Sequence, residues 1–413
     1  MPREFATFRL APKAWAMPTL GEIELARKYL NQARIDASSG PEWPAVSELP
    51  VVSHLAIVGA GTMGLGICLC ALAAGLVVRW LDKSPEALSQ GMQRLRLSLD
   101  QSVASGRIDE TTRDERLARL LPTCDFADLA DVDAAIEAVF EDVGIKRDVM
   151  AKLHASCRPH VLLVSNTSTL DIDALASGCD RPGQVVGMHF LTPAHITPLV
   201  EVVRGACTTD TSIAGARALA LKLGKLPVLA GNAWGFIGNR MFEGYLREVD
   251  ALQLEGIAAH RIDQALVKFG FALGPCRTLD MAGTDLVSQV LAGRSTHFND
   301  PPGYRRITRR LAELGRYGYK SGRGHYLYEG RLAIPDPDLA HVCAQEAASL
   351  GITPAPDVSD EDIVARCVMP LIEEGRVLLE QGMACRPGDI DLVWVLGYGF
   401  PADRGGPMYM ASR

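Results

Sequence analysis

His189 and Glu201 could form an acid–base pair. They lie in two apolar runs, "QVVGMHF" and "LVEVV", and a carboxylate among Leu and Val is costly to bury unless it is paired. Histidine accepts a proton near neutral pH, and a carboxylate behind it fixes the tautomer and stabilises the imidazolium. If the intervening loop brings the two runs together, the pair suits removal of an alcohol proton while hydride leaves the carbon. The alternatives are a satisfied core histidine and an exposed strand glutamate.

A glycine motif offers a second chemistry, the binding of a dinucleotide. Gly59, Gly61 and Gly64 follow the apolar run "LAIV" and precede a stretch of small residues with helical character. Glycines there permit a tight turn and close backbone approach, and the helix N-terminus attracts a pyrophosphate. Asp82 ends the next apolar run, where a carboxylate binds the ribose 2′-hydroxyl and selects NAD over NADP. The pattern predicts NAD binding; a glycine-rich turn in another α/β protein is the alternative.

The net charge, the composition and the cysteine pattern of the chain exclude several classes of protein. The chain has 413 residues, a net charge of −7 and 48% hydrophobic residues, which is ordinary for a globular protein and unsuited to binding nucleic acid. Its ten cysteines form no CxxC or Cys/His cluster, so no metal site and no disulfide framework are indicated. No secretory signal is seen, and the longest apolar run is too short to cross a membrane. We therefore expect no nucleic acid partner and no stable membrane insertion.

Alternating short apolar runs and longer helical stretches begin at Leu55. Strand candidates are "HLAIVGAG", "LVVRWLD", "AAIEAVFE", "VLLVSNTS", "QVVGMHF" and "LVEVV". This alternation predicts a mainly parallel sheet with helices on both faces, over residues 51–232. Residues 1–50 look like an appendage, with a capping-box pattern of Thr19 and Glu22 ahead of a helix and a Pro-containing linker.

Helical patterns dominate after residue 233, and one of them occurs twice. The stretch from Arg240 to Pro275 resembles the stretch that begins at Arg366, with Glu248 matching Glu374. Two copies predict a duplicated all-α region, the first over 233–335 and the second over 356–413. In the basic stretch "GYRRITRR", four arginines beginning at Arg305 would share one helical face, for which we favour a solvated surface over an anion site.

The motifs together carry a family resemblance. "GAGTMG", "EAVFED", "SNTSTL", "GMHF", "LVEVV", "GFIGNR" and "GRYGYKSGRG" occur in one order from about residue 51 to the C-terminus. The chain resembles the 3-hydroxyacyl-CoA dehydrogenase family, most of all the dehydrogenase half of peroxisomal-type multifunctional β-oxidation enzymes. The resemblance implies an α/β fold, with a Rossmann-type NAD-binding domain followed by a duplicated all-α domain like the C-terminal domain of 6-phosphogluconate dehydrogenase.

The resemblance also implies roles for individual residues. His189 would be the general base on the 3-hydroxyl, oriented by Glu201. Ser168 would bind the substrate oxygen near the nicotinamide, and Asn239 would steady His189 and the substrate. The implied cofactor-binding residues are Gly59, Gly61, Met63, Gly64, Asp82, Val139, Glu141, Lys146, Asn166 and Ser168.

Each of these roles has a plainer alternative. Asn166 and Ser168 could cap the helix that starts near Asp171, and Asn239 could bond its own backbone. Lys146 could be a solvated charge on a helix. Where many members of the family have asparagine three residues after the histidine, this chain has Thr192.

The implied activity is NAD-dependent oxidation of (3S)-3-hydroxyacyl-CoA to 3-ketoacyl-CoA in fatty-acid β-oxidation. The alternatives are a short-chain 3-hydroxybutyryl-CoA or other β-hydroxyacid dehydrogenase, and a non-catalytic NAD-binding structural protein. An acyl-CoA is the expected partner. We expect a fragment or shortened form of a protein that carries an enoyl-CoA hydratase half. The tandem helical copies favour a monomer, and the location is cytoplasmic in a bacterium or peroxisomal in a eukaryote.

Overall fold

A computed structural model describes residues 15–46, 49, 51–294, 298, 300–301, 303–355 and 357–413. Residues 1–14 of the predicted N-terminal appendage lie outside this description. The chain divides into two compact units. The sheet unit comprises Asn31–Ile237 and Leu379–Gly397. Among the described residues, the helical unit comprises those up to Leu30, those within Gly238–Leu378 and those within Tyr398–Arg413. The domain boundaries given above stay a prediction.

The sheet unit is built on eight strands in the order β3-β2-β1-β4-β5-β6-β7-β8. Neighbouring strands are parallel except β6 and β7, which run antiparallel. The strands are β1 His54–Val58, β2 Val77–Leu81, β3 Leu120–Thr123, β4 Ala134–Glu137, β5 Leu162–Ser165, β6 Val185–Phe190, β7 Leu199–Arg204 and β8 Leu226–Gly231. The helices between them are α2 Thr62–Ala73, α3 Pro85–Ala104, α4 Glu110–Ala118, α5 Val143–Ser156, α6 Ile172–Ala176 and α7 Asp210–Lys222.

The central strands β4, β5 and β6 are buried along their whole length, which explains their mainly apolar composition. All residues of β4, β5 and β6 are buried. A strand buried on both faces reads as an unbroken apolar run because helices cover both sides of a parallel sheet. The predicted α/β fold class is confirmed by the observed sheet and by the family models reported below.

The first described helix, α1 (Leu20–Ser39), begins with the predicted capping box. The amide of Glu22 donates to Thr19 Oγ1 at 3.3 Å, and the amide of Thr19 donates to the Glu22 carboxylate at 2.8 Å. The linker after α1 is anchored, since Trp43 is buried in the core of the sheet unit and its indole donates to the Ala37 carbonyl at 2.7 Å.

The helical unit contains both copies of the predicted repeat, in whole or in part. The first copy forms α8 Gly238–Leu254, α9 Ala259–Phe269 and α10 Pro275–Ala282, and α11 Thr284–Arg294 and α12 Arg306–Glu313 follow. A hairpin, β9 Tyr326–Glu329 with β10 Leu332–Pro335, precedes α13 Pro337–Ser349. The second copy forms α14 Asp360–Glu380, α15 Pro387–Gly397 and α16 Pro407–Ala411, of which α15 belongs to the sheet unit.

The solvated-face interpretation of the basic stretch is wrong for Arg305. This residue precedes α12 in the left-handed conformation, with φ 51°, and its side chain is fully buried. Its guanidinium donates to both carboxylate oxygens of Glu243 at 3.1 Å. A charge removed from water needs a partner, so the ion pair of Arg305 with Glu243 holds the start of α12 against α8.

None of the described helices is long and apolar enough to cross a membrane. Across the described parts of the chain, no group of His, Cys, Asp and Glu side chains is arranged to hold a metal ion.

Candidate active site in the sheet unit

The glycine turn between β1 and α2 needs each of its three glycines for a different reason. Gly59 has φ +112°, and a Cβ there would lie 2.5 Å from the Ala138 carbonyl oxygen. A Cβ on Gly64 would lie 1.9 Å from the Gly59 carbonyl oxygen, so this glycine lets helix and strand pack closely. A Cβ on Gly61 would meet nothing within 4 Å. Gly61 therefore faces open space at the N-terminus of α2, where a phosphate could approach the backbone.

Asp82 follows β2 beside this turn. One carboxylate oxygen accepts the amide of Ala60 at 2.8 Å, and the other accepts the amide of Ser84 at 3.0 Å. The carboxylate is thus fixed in orientation next to the glycine turn while remaining partly exposed. This is the place that the ribose of a dinucleotide requires.

His189 and Glu201 lie directly opposite each other on the antiparallel strands β6 and β7. His189 Nδ1 lies 2.7 Å from Glu201 Oε2, and both residues are buried. The second oxygen of Glu201 accepts the amide of Ile237 at 3.0 Å. Because Glu201 engages Nδ1, the other ring nitrogen, Nε2, is the one that can take up a proton. The alternative of an exposed strand glutamate is wrong, since Glu201 is 0% exposed.

Glu141, in the loop after β4, accepts hydrogen bonds from residues in the segment after β5. Its Oε1 accepts from the Thr167 hydroxyl at 2.7 Å and from the Ser168 amide and hydroxyl at 2.8 and 3.0 Å. Burial alone would raise the pKa of Glu141, but the Lys146 ammonium and these donors hold it below its ordinary value. Glu141 and Ser168, both predicted at the cofactor site, are therefore brought together.

Lys146 is not the solvated charge that was the plainer alternative, because its side chain is only 1% exposed. Its ammonium lies 2.7 Å from Glu137, 3.2 Å from the Val139 carbonyl oxygen and 3.3 Å from Glu141. These three acceptors match the three donors of an ammonium. Lys146 thus fixes the end of β4 and the carboxylate of Glu141. Its predicted contact with the nicotinamide-side ribose stays a prediction.

Glu137 was missed by the sequence reasoning. It ends β4 fully buried and accepts from Lys146, from the Val139 amide at 2.7 Å and from the Ser165 hydroxyl at 2.8 Å. The signal was present in "AAIE", because a carboxylate at the end of an apolar strand demands a partner just as Glu201 does.

The remaining predicted residues lie as follows. The Asn166 side chain accepts the amide of Phe190 at 2.9 Å, next to His189 in β6. Met63 lies in the first turn of α2, where the Thr192 hydroxyl donates to its sulfur at 3.1 Å. Asn239 belongs to the helical unit, where its side-chain oxygen accepts from the Tyr398 hydroxyl at 2.8 Å. The assigned role of Asn239 stays a prediction.

The residues present fit an NAD molecule. The open face of Gly61, the N-terminus of α2 and the fixed carboxylate of Asp82 would supply the pyrophosphate and ribose contacts that the motif requires. The ends of β4 and β5 carry Glu141 and Ser168 at the same edge of the sheet. In parallel sheets this edge, at the carboxyl ends of the strands, is where ligands bind.

Comparison with known proteins agrees with this geometry. Residues 54–233 match the model of the 3-hydroxyacyl-CoA dehydrogenase NAD-binding domain, and residues 235–328 match that of the family's C-terminal domain. A solved (S)-3-hydroxybutyryl-CoA dehydrogenase from Ralstonia eutropha is 32% identical, with TM-score 0.63, over 68% of this chain and 100% of its own. The chain belongs to the 3-hydroxyacyl-CoA dehydrogenase family. The predictions of the family and of NAD as its cofactor are confirmed.

Two further relatives are a protein named as a bifunctional enzyme and one part of a multifunctional enzyme. A peroxisomal bifunctional enzyme from Danio rerio is 38% identical over 388 residues, 91% of this chain and 53% of the relative. The chain therefore spans about half the length of this relative. The solved dehydrogenase part of multifunctional enzyme 1 from C. elegans is 26% identical, with TM-score 0.62, and covers 94% of this chain and 88% of its own.

Proposed function

We propose that this chain oxidises a (3S)-3-hydroxyacyl-CoA to the 3-ketoacyl-CoA in fatty-acid β-oxidation. The observation that carries the proposal is the buried 2.7 Å contact of His189 Nδ1 with Glu201, within a family that carries an NAD-binding domain. Bound NAD supplies the hydride acceptor for this reaction.

His189 acts as the general base in this proposal. Glu201 keeps the proton of the neutral ring on Nδ1, so the lone pair of Nε2 faces the substrate hydroxyl and takes its proton. The imidazolium that forms is stabilised by the same carboxylate. The Ser168 hydroxyl donates its one proton to Glu141 in the free enzyme, and in this proposal it turns to donate to the substrate oxygen when substrate binds. General bases of this kind contribute about 10²–10⁴-fold to a rate.

A cavity of about 410 Å³ in the sheet unit is our candidate for part of the CoA moiety. Its wall includes His195 and Ile196 from the loop between β6 and β7, the loop that follows His189. Arg116 and Lys222 also lie on the wall, and their positive charges suit the phosphates of CoA. Burial, together with the charges of Lys225 and Arg107, lowers the pKa of His195, which favours its neutral form.

Oxidation of NADH by the purified chain with acetoacetyl-CoA and with longer 3-ketoacyl-CoA substrates tests the proposal. We expect turnover that is lost on replacing His189 by Gln while NADH still binds. Binding of NADH without turnover of any chain length would instead favour a non-catalytic NAD-binding protein.

A second candidate is a short-chain enzyme. The Ralstonia eutropha neighbour is named a 3-hydroxybutyryl-CoA dehydrogenase, and all of that chain aligns with this one. A kcat/KM that is highest for acetoacetyl-CoA and falls with chain length would favour this candidate over a long-chain enzyme.

Three finer proposals concern the setting of the enzyme. The named relatives support its working within, or alongside, a larger multifunctional β-oxidation protein, and a peroxisomal location in a eukaryote. A bacterial source would place it in the cytoplasm. Two copies of the helical pattern in one chain support a monomer, which light scattering of the eluted protein tests.

A further inference from the structure

Tyr398, which directly follows α15 in the chain, packs against the first turn of α8. Tyr398 and α8 both belong to the helical unit. A Cβ on Gly238 would lie 2.5 Å from the Tyr398 hydroxyl oxygen, so the lack of a side chain at Gly238 makes room for the tyrosine. The Phe242 ring, one turn further along α8, lies against Tyr398 with the ring centroids 5.3 Å apart. Contacts with Gly238 and Phe242 therefore fix the place of the Tyr398 ring.

The hydroxyl of this fixed ring bonds the side chain of Asn239. It donates to Asn239 Oδ1 at 2.8 Å. An amide side chain has one oxygen that accepts and one NH₂ group that donates. Because the oxygen faces Tyr398, the NH₂ group is directed away from it. The hydrogen bond therefore favours the orientation in which Asn239 presents a donor, and not an acceptor, to the surroundings of the first turn of α8.

The proposed oxidation needs such a donor at the 3-oxygen of the substrate. The substrate hydroxyl has one proton, which it gives to His189 Nε2, so toward every other group its oxygen can only accept. The oxygen of the 3-keto product likewise only accepts. The NH₂ group of Asn239 would stabilise the charge that develops on this oxygen, whereas Oδ1 would set a lone pair against it. The role predicted for Asn239 thus depends on which end of its amide is presented.

Packing of the helical repeat does not account for the hydroxyl of Tyr398. The "YGF" of the second copy matches the "FGF" of the first, so Phe269 occupies the position that corresponds to Tyr398. Phe269 is buried and has no hydroxyl, whereas Tyr398 is partly exposed. The aromatic ring is therefore common to both copies. The hydroxyl is particular to the second, where it bonds Asn239.

We propose that Tyr398 is a positioning residue for the dehydrogenase reaction. Its hydroxyl orients the amide of Asn239, and the NH₂ group of that amide donates to the 3-oxygen of the substrate. This assignment rests on the proposed function and on the role predicted for Asn239. It gives the second copy of the helical pattern a part in the reaction beyond structural support.

The variant Tyr398→Phe tests the assignment, because it removes the hydroxyl and keeps the ring that packs on Gly238. In steady-state oxidation of NADH with acetoacetyl-CoA, we expect kcat about tenfold below the parent, equivalent to ~1.4 kcal/mol. KM and the melting temperature should stay close to the parent values, since the lost contact acts in the transition state. Tyr319→Phe, at an exposed tyrosine of the same unit, is the matched control and should keep the parent kcat.

A double-mutant cycle separates this role from a merely structural one. Asn239→Ala should lower kcat about 10²–10³-fold, and adding Tyr398→Phe should cause no further loss, because the tyrosine acts through Asn239. Gly238→Ala, whose Cβ would displace the hydroxyl from Asn239, is a second variant and should also lower kcat.

Two results would overturn the assignment of Tyr398 alone. One is a Tyr398→Phe enzyme with kcat within about twofold of an active parent. The other is the same fold loss from Tyr398→Phe in the Asn239→Ala background as in the parent. A parent chain that turns over no 3-ketoacyl-CoA would refute the proposed function, and the assignment with it.

Discussion

Replacing Glu201 by Gln tests the core of the proposed mechanism with a nearly isosteric change. Both oxygens of Glu201 accept hydrogen bonds, Oε2 from His189 Nδ1 at 2.7 Å and Oε1 from the Ile237 amide at 3.0 Å. Glutamine offers one oxygen and one NH₂ group, so only one of these donors can keep its acceptor.

Both orientations of the new amide are costly. If its NH₂ faces His189, the ring proton moves to Nε2 and the base loses its lone pair. If its NH₂ faces the Ile237 amide, two buried donors oppose each other, at a cost of about 1–3 kcal/mol in the free energy of unfolding. In either case the imidazolium loses its charged partner. We expect kcat to fall about 10²–10³-fold, which corresponds to roughly 3–4 kcal/mol in the barrier.

The assay is steady-state oxidation of NADH with acetoacetyl-CoA, alongside a fluorescence titration with NADH. NADH affinity should change little, because Glu201 is not among the residues assigned to the cofactor. Glu86→Gln, an exposed glutamate in the first turn of α3, is the matched control and should retain the parent rate. A Glu201→Gln enzyme with kcat within about fivefold of the parent would refute the role given to the pair.

Three further predictions concern the cofactor site. Gly61→Ala should leave the melting temperature unchanged but weaken NADH binding. Gly64→Ala should instead lower the free energy of unfolding by about 1–3 kcal/mol or more, because its Cβ would lie 1.9 Å from a carbonyl oxygen. Calorimetric melting and NADH titration distinguish these two effects. Lys146→Met should cost about 3–5 kcal/mol by leaving Glu137 buried and unpaired, and adding Glu137→Gln should restore part of the loss in urea unfolding. The lowered pKa of Glu141 stabilises the fold above the unfolded-state value of about 4.3, and this contribution disappears as pH falls through the lower folded-state value. Glu141→Gln should therefore be less stable than the parent at neutral pH and lose less stability on acidification; an unchanged pH dependence of unfolding would contradict this.

The central part of the site could be predicted because its signals are local. The glycine spacing between a strand and a helix favours a dinucleotide site, and a carboxylate inside an apolar run indicates that a partner lies nearby. The pairing that joins His189 to Glu201 was only a condition of the sequence argument, which required the intervening loop to bring the two runs together. The structure supplies that pairing.

Two strands of the sheet could not be predicted, and proline explains both. The edge strand β3 contains Pro122, and β8, next to β7, contains Pro227. Proline lacks the backbone amide that donates hydrogen bonds between strands, so a proline in the sequence argues against a strand. In the folded protein, pairing with the neighbouring strand forms β3 and β8 despite the proline. The prediction of a solvated side chain for Arg305 was wrong for a different reason. Helical spacing of charges carries no sign that the first of them precedes the helix in a left-handed turn.

Direct opposition of His189 and Glu201 across β6 and β7 has a consequence for variation within this fold. The loop between the strands can lengthen, shorten or change its residues without moving the two side chains, because the strand register sets their distance. A single residue inserted into β6 or β7 within the paired segment would turn His189 or Glu201, respectively, to the opposite face of the sheet. Under the proposed function, loop grafting should therefore change acyl selectivity and leave the His189–Glu201 pair intact, whereas insertions within β6 or β7 should disrupt the pair.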